Sequence, residues 1–473
     1  MMPSRKVLWS AFMFLAVVKT FYFTLFIVDR NPHIIDSFVI EGIALKGGDT
    51  ETYYRPLRSL VEEGVYPGMC RMPGLAPVYI PFRLVLSHEK TQVVIVHLQL
   101  IADAVVALLS AVLCFRIFRS IPAFWFCVSL TALSPFVLVR ANYLLSDSFC
   151  CSALILAAWF LHDFIQSRKT SHLLICGAFL AWAVFLRQIS LLIIPCFLLI
   201  LLTQLRISLS LRLRYTILLF IPLSVSITGW AIRNATTYQR TILLVAPITE
   251  CMGQLTPEFF SVRKLLLTMG QDIQPWKPGS GAHWFFTENA DYDCPISDKH
   301  FTESLSRDSI LNLRKDYWKS INSGSDSEEI SNRLIRTCTQ FEQTYISENA
   351  WNYFLLNRVG FFFQFIFPST IDDLPVPRLS EASMPSKVTK VSGYFLLLAI
   401  HAVFLLSLIY FLVKRNSLVL IWSLFGLAPI LFLSYMGWIE QRYLATSHYF
   451  IILICSGFMA EITGKLRLFN RGN

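Results

Sequence analysis

Ten apolar stretches, each bounded by polar residues, leave this chain one environment in which to fold. They run over 7–28, 93–115, 122–139, 148–165, 172–186, 189–205, 215–232, 391–413, 417–438 and 443–463. A run of about 20 apolar residues crosses the hydrocarbon core as a helix, which satisfies every backbone polar group within the segment. With 55% hydrophobic and only 15% charged residues among 473, a water-soluble domain is excluded. The expected fold is an all-α polytopic membrane protein with about ten transmembrane helices. Val7–Val28 exceeds the hydrophobic part of a removable signal and lacks a small-residue cleavage site, so it reads as the first span. The stretches 172–186 and 189–205 are short and divided by Arg187-Gln188, which predicts tilted or broken helices. Tyr353–Phe367, interrupted by Asn357 and Arg358, reads as a helix lying on the membrane rather than an eleventh span.

Charge orients the spans. One set of short connections carries 14 Lys and Arg, from Arg5 and Lys6 to Lys465, Arg467 and Arg471, with no acid. The two long opposite loops are nearly balanced, with 7 basic against 8 acidic residues in 29–92 and 16 against 18 in 233–390. Positive connections stay in the cytoplasm. Both termini are therefore expected inside the cell, in an inner (plasma) membrane, with both long loops periplasmic or extracellular. The net charge of +10 then reports topology, and no nucleic acid partner follows from it. The expected organisation is an N-terminal transmembrane catalytic module (1–232), an extracytoplasmic region (233–390) and C-terminal transmembrane helices (391–473).

The loop 29–92 holds Gly48-Asp49-Thr50-Glu51-Thr52-Tyr53-Tyr54, then Gly64-Val65-Tyr66 and Arg71-Met72-Pro73-Gly74. Tyr53, Tyr54, Leu57, Leu60 and Val61 recur at helical spacing opposite Glu51, Arg55, Arg58 and Glu62. Asp49 or Thr50 fits the N-cap of that helix, and Gly64 its stop. Pro77–Ser87 reads as a second amphipathic piece, and both are expected to lie on the membrane surface. Other charges collect at the same outer level: Arg140, Asp147, Arg187, Arg233 and Arg442. Single arginines at span ends often only snorkel towards headgroups. Lys19 and Asp103 lie deeper, where an ionisable group is costly, and read as a structural pair in preference to a proton relay.

Two or three acids, Glu440 among them, and several arginines in one layer suit a reaction whose leaving group is a lipid-linked phosphate. Guanidiniums stabilise the developing negative charge, and a carboxylate accepts the proton of an attacking hydroxyl. A single displacement at the anomeric carbon inverts configuration. No nucleophile elbow, phosphate-binding loop or zinc helix is present. His283, His300, Asp291 and Asp293 could hold a divalent cation, although decoration of a loop is the plainer reading. Cys70, Cys251, Cys294 and Cys338 fall on the outer side, where three complete pairings are open.

The pattern resembles the C-type, polyprenyl-phosphate-sugar-dependent membrane glycosyltransferases, in the branch of protein O-mannosyltransferases and the lipid A aminoarabinose transferase. The resemblance rests on Gly48-Asp49-Thr50-Glu51-Thr52-Tyr53, Gly64-Val65-Tyr66, Arg71-Met72-Pro73-Gly74-Leu75-Ala76-Pro77, Ser146-Asp147, Arg187, Trp230-Ala231-Ile232-Arg233-Asn234 and Arg442-Tyr443. It implies Asp49 as the catalytic or acceptor-orienting acid, helped by Asp147 and Glu51. It implies Arg71, Tyr53, Tyr54, Arg187, Arg233, Arg442 and Tyr443 as substrate-binding residues. The implied partners are a lipid-linked sugar donor, membrane lipids, and a glycan, lipid or protein acceptor. Asp49 is followed by Thr50 where family members often carry a second acid. A transporter or flippase of a lipid-linked sugar is the alternative, and would favour repeat symmetry and discontinuous helices near the midplane. An inactive scaffold of the same fold is a third reading.

Overall fold

The computed structural model describes the chain except residues 1, 30–38, 41, 205–206, 247–250, 252–255, 274–278, 291–292, 323–326, 369–373, 375–378, 438–439 and 472–473. The chain forms two compact units. The first comprises Met1–Val245, Ser369–Pro429 and Gln441–Asn473; the second comprises Ala246–Pro368 and Ile430–Glu440.

Among the described residues, the only sheet in the first unit is a two-stranded antiparallel ribbon, β1 (Val39–Ile40) and β2 (Ala44–Leu45). Its helices begin with α1 (Arg5–Val28), α2 (Thr50–Glu62), α3 (Ala76–Arg83), α4 (His88–Phe118), α5 (Ile121–Leu133) and α6 (Pro135–Leu138). They continue with α7 (Asp147–Ser167), α8 (Thr170–Leu186), α9 (Ile194–Gln204) and α10 (Leu209–Tyr238). In the second unit lie α11 (Pro257–Thr268), α12 (Gly281–Phe286), α13 (Arg307–Asn322), α14 (Ser327–Glu348) and α15 (Asn357–Ile366). The chain closes with α16 (Met384–Val413), α17 (Ser417–Tyr435), which runs from the first unit into the second, and α18 (Ala445–Arg471).

Among the described residues, seven helices are long and apolar enough to cross a membrane, and α5 with the segment Pro135–Ala141 makes an eighth if counted as one bent span. The expected spans 172–186 and 189–205 are α8 and Gln188–Gln204, apolar but shorter. One expectation needs correction. The stretch 122–139 is not one straight helix but bends by 61° between Leu133 and Pro135. Pro135 has no N–H to continue the ladder and drives Ser134 out of the helical region, to ψ 104°.

In the first unit α7 packs along α8, α8 along α10, and α18 against α4, α5 and α7. The sequence sets these helices locally. Ser87 and Ser120 accept backbone N–H groups at the starts of α4 and α5. Gly64, at φ +73°, follows α2 in the left-handed conformation that ends helices. Deep between α1, α4 and α18, Lys19 pairs with Asp103, whose other oxygen accepts from the Tyr449 hydroxyl. Lys19 and Asp103 are 1% and 5% exposed, so the expected pairing is present and all but sealed from solvent.

The second unit has its own core. Val262, Leu266, Trp284, Phe285, Leu313 and Tyr345 pack between α11, α13 and α14. The segment 353–367 is a π-helical turn, Asn352–Leu356, running into α15. Cys294 and Cys338 in this unit carry free thiols. In the first unit Asn234, within an Asn-Ala-Thr acceptor sequence, is fully buried and its amide donates to the Ile242 carbonyl at 2.8 Å, which leaves it unavailable for glycosylation.

Candidate active site

Three backbone devices bring the motifs of the 29–92 loop to one place. First, β2 joins the segment ahead of α7: Leu45 N–H donates to the Asn142 carbonyl at 3.1 Å, and Leu144 N–H to the Leu45 carbonyl at 2.8 Å. The Thr50 hydroxyl adds a bond to the Leu144 carbonyl at 3.0 Å. These bonds tie the segment ahead of α2, which ends at Asp49, to the segment ahead of α7, which Asp147 opens.

Second, the turn carrying Arg71 is pinned to the end of α8. A Cβ on Gly74 would run into the backbone of Phe185 and Leu186, so only glycine allows that approach. The indole N–H of Trp182 donates to the Gly74 carbonyl at 2.8 Å. Third, Arg233 at the end of α10 donates to the Tyr66 and Gly68 carbonyls. Its guanidinium lies over the rings of Trp230 (4.8 Å) and Tyr238 (5.0 Å). The Tyr66 hydroxyl in turn donates to the Arg71 carbonyl at 3.0 Å.

The result is a cluster of two carboxylates and three guanidiniums. Asp49 occupies the N-cap position of α2 but makes no side-chain cap bond. Its Oδ2 lies 2.7 Å from Arg442 Nη2 and its Oδ1 3.3 Å from Arg71 Nη2. Arg187 pairs with Asp147, both all but sealed from solvent. Tyr443 ties the two halves together: Arg187 lies over its ring at 5.0 Å and Arg442 at 5.5 Å. Arg71 lies over Tyr53 at 4.6 Å, and its Nε donates to the Thr52 hydroxyl at 3.0 Å, which donates to the Asp49 carbonyl at 2.6 Å.

Electrostatics follow from this geometry. Burial alone would raise the Asp49 carboxyl, but the guanidiniums of Arg442, Arg71 and Arg187 outweigh it and hold Asp49 below the ordinary carboxylate range. Asp49 is therefore ionised at neutral pH. The Oδ2 of Asp147 is buried without a hydrogen-bond donor from the protein. Both acids face guanidiniums.

Of the ten residues singled out in the sequence, Asp49, Arg71, Tyr53, Asp147, Arg187, Arg442 and Tyr443 come together. Three do not. Glu51 pairs with Lys46 at 3.0 Å, and its side chain is 52% exposed. Two residues beyond the cap, it points to another face of α2, because positions i and i+2 do not share one. Tyr54 is fully buried and meets Tyr79 edge-on at 5.6 Å, as a core residue. Arg233 holds the Tyr66–Gly68 backbone instead of facing the cluster. Thr52, Tyr66 and Trp182 were missed as supports, although Thr52 and Tyr66 stand inside the quoted motifs. Among the described residues no group of three or more His, Cys, Asp or Glu could hold a metal. His283, His300 and Asp293 form none, and Asp291 lies outside the described residues.

Residues 75–230 match the model of the family described as dolichyl-phosphate-mannose-protein mannosyltransferase. That match agrees with the resemblance read from the motifs, and it contains Asp147 and Arg187. No curated protein sequence matches the chain. Among solved structures the chain is similar to the archaeal oligosaccharyltransferase AglB from Archaeoglobus fulgidus, in complex with an inhibitory peptide and a dolichol-phosphate. The TM-score is 0.49 at 12% identity, over 98% of this chain and 51% of that one. The chain thus spans about half the length of that protein. It is also similar to ArnT from Cupriavidus metallidurans in the apo state, at TM-score 0.35 and 13% identity, over 96% of this chain and 78% of that one. The same ArnT bound to undecaprenyl phosphate gives TM-score 0.31 at 12% identity, over 95% and 77%.

Proposed function

We propose that this protein is a C-type membrane glycosyltransferase that moves a sugar from a polyprenyl-phosphate carrier to an acceptor hydroxyl on the extracytoplasmic face. The observation that carries the reading is Asp49 held between Arg71 and Arg442, beside the buried Arg187–Asp147 pair. Arg71 and Arg442 turn from Asp49 to the donor phosphate and stabilise the charge that grows on it as the glycosidic bond breaks. The bond from the anomeric carbon to the phosphate oxygen breaks, the acceptor oxygen bonds to that carbon, and the acceptor proton passes to Asp49. One displacement inverts configuration. Asp147 fixes Arg187, which adds positive potential at Asp49.

Purified protein in vesicles, given a labelled polyprenyl-phosphate sugar and a hydroxyl acceptor, should form glycoside and release polyprenyl phosphate, and Asp49→Asn should not. Full transfer by correctly inserted Asp49→Asn protein would refute this assignment. Movement of the labelled lipid across the vesicle without glycoside would favour the flippase reading instead.

A further inference from the structure

A second guanidinium site stands in the other unit, apart from the cluster just described. The π-helical turn Asn352–Leu356 and α15 present an apolar face to the outside: Trp351, Phe354 and Phe363 are 68%, 58% and 51% exposed. Their opposite side is anchored, with Phe361 and Phe365 buried and the Asn357 amide donating to the Thr268 carbonyl at 3.1 Å. Beside them the last turns of α17 expose Leu431, Phe432 and Tyr435. Isolated π turns inside helices recur at functional positions, because the extra residue re-aims side chains.

Arg358 is the second residue of α15, just past that turn. Its guanidinium lies over Tyr353 at 4.7 Å, Tyr435 at 5.4 Å and Phe361 at 5.9 Å. Nε and Nη1 are buried with no hydrogen-bond acceptor. Among the described residues no acid lies within ion-pair range of it. Ring faces hold the plane of a guanidinium but offer no lone pair to its N–H groups. Buried donors left unmet are costly, so the site lacks an acceptor, and a fixed cation selects an anionic one.

Position identifies the anion. Tyr435 is the last residue of α17, a helix long and apolar enough to span the membrane. Arg358 on Tyr435 therefore stands at the level where that span ends. Exposed Trp, Phe and Tyr are the residue types that occupy this belt. We propose that Arg358 binds the phosphate of a bilayer phospholipid, with the exposed face of residues 351–363 set into the boundary between headgroups and acyl chains. The site does not depend on the transfer reaction, and its ligand is bulk lipid.

The test uses the full-length protein in nanodiscs of phosphatidylcholine with a minority of phosphatidylglycerol. Native mass spectrometry should show retained phosphatidylglycerol reduced roughly tenfold in occupancy by Arg358→Gln and less by Arg358→Lys, which keeps a point charge but not the fork. Equal retention by the wild-type and both variants would overturn the site. Loss of added undecaprenyl phosphate instead, with phosphatidylglycerol unchanged, would overturn the choice of bulk lipid. Nitroxide labels at positions 354 and 363, with Arg358 intact, should be reached by oxygen and shielded from an aqueous nickel chelate. Labels open to the chelate would overturn the membrane placement, whatever Arg358→Gln does to folding.

Discussion

Asp49 stands where a helix cap belongs, yet its carboxylate lies 2.7 Å from Arg442 and leaves the first turn of α2 uncapped. A capping aspartate contributes about 1 kcal/mol to its helix. Under the proposed reaction, the carboxylate that gives up that bond to face two arginines is the one that takes the acceptor proton. Asp49→Asn keeps the shape and removes the charge, so transfer should fall by about 100- to 10,000-fold, the range of a general base. Initial rates with labelled donor, on protein checked for insertion, measure this. A loss under threefold would reduce Asp49 to a scaffold residue.

Arg71 and Arg442 hold opposite oxygens of Asp49, and under the proposed reaction both transfer to the donor phosphate. A hydrogen bond to a charged group is worth about 1.5–3 kcal/mol. Arg442→Ala and Arg71→Ala should each weaken donor use by roughly 10- to 100-fold in kcat/KM. Lysine at either position should recover only part, since it lacks the paired donors. An unchanged kcat/KM for both alanine variants would separate the cluster from the donor.

The position of Asp49 on the pH axis is a further consequence. Its arginines hold the carboxyl below the ordinary range against the opposing effect of burial. A depressed folded value means that the charged form stabilises the fold above the unfolded value, and this contribution is lost as pH falls through the folded value. For catalysis, the acid limb of kcat/KM should therefore lie below the ordinary carboxylate range. Bound phosphate shares the same guanidiniums and adds negative charge, so the acid limb of kcat should shift to higher pH. Coincident limbs in both profiles would argue that the donor phosphate does not meet these arginines.

How much of this was readable from the chain depends on range. Apolar runs and loop charges are local signals, and the described residues of all ten expected stretches are mostly helical, with the bend at Ser134-Pro135 unforeseen although Pro135 was in plain view. That these charges sit at helix ends was also readable, because apolar spans confine them there. Which of them touch was not. Arg442 reaches Asp49 only after α18 packs between α4 and α7. Glu51 looked like a second acid because it is near in sequence, while helical geometry turns it to Lys46. Tyr54 and Arg233 belonged to the right motifs, but packing made one a core residue and the other a brace for the Tyr66–Gly68 backbone.

That brace and the Gly74 turn position Arg71 without touching a reacting group. Gly74→Ala places a methyl group against the Phe185 backbone, which has no flexible side chain to move aside. It should lower thermal stability by about 1–3 kcal/mol and reduce transfer as Arg71 shifts. Gly48→Ala, in the same loop with open space around its Cβ, should leave stability within about 0.5 kcal/mol. Thermal unfolding of both variants in detergent, read beside transfer rates, separates the two. Equal behaviour would remove the argument that close packing on α8 sets Arg71.

The Lys19–Asp103–Tyr449 network offers a test of what holds α1, α4 and α18 together, independent of the reaction. Removing one partner leaves an uncompensated buried charge, which costs about 3–5 kcal/mol in protein interiors. Lys19→Met should therefore destabilise strongly, because Asp103 loses its counter-ion and keeps only the Tyr449 hydroxyl. Lys19→Met with Asp103→Leu replaces the pair by apolar side chains and should recover most of the loss, as buried pairs often gain little over packed hydrophobes. A double-mutant cycle on reconstituted protein isolates the coupling, expected at roughly 2 kcal/mol or more. Near-intact transfer by the double variant would fit a structural pair. Additive destabilisation, or abolished transfer in a double variant of normal stability, would assign Lys19 and Asp103 a part in the reaction.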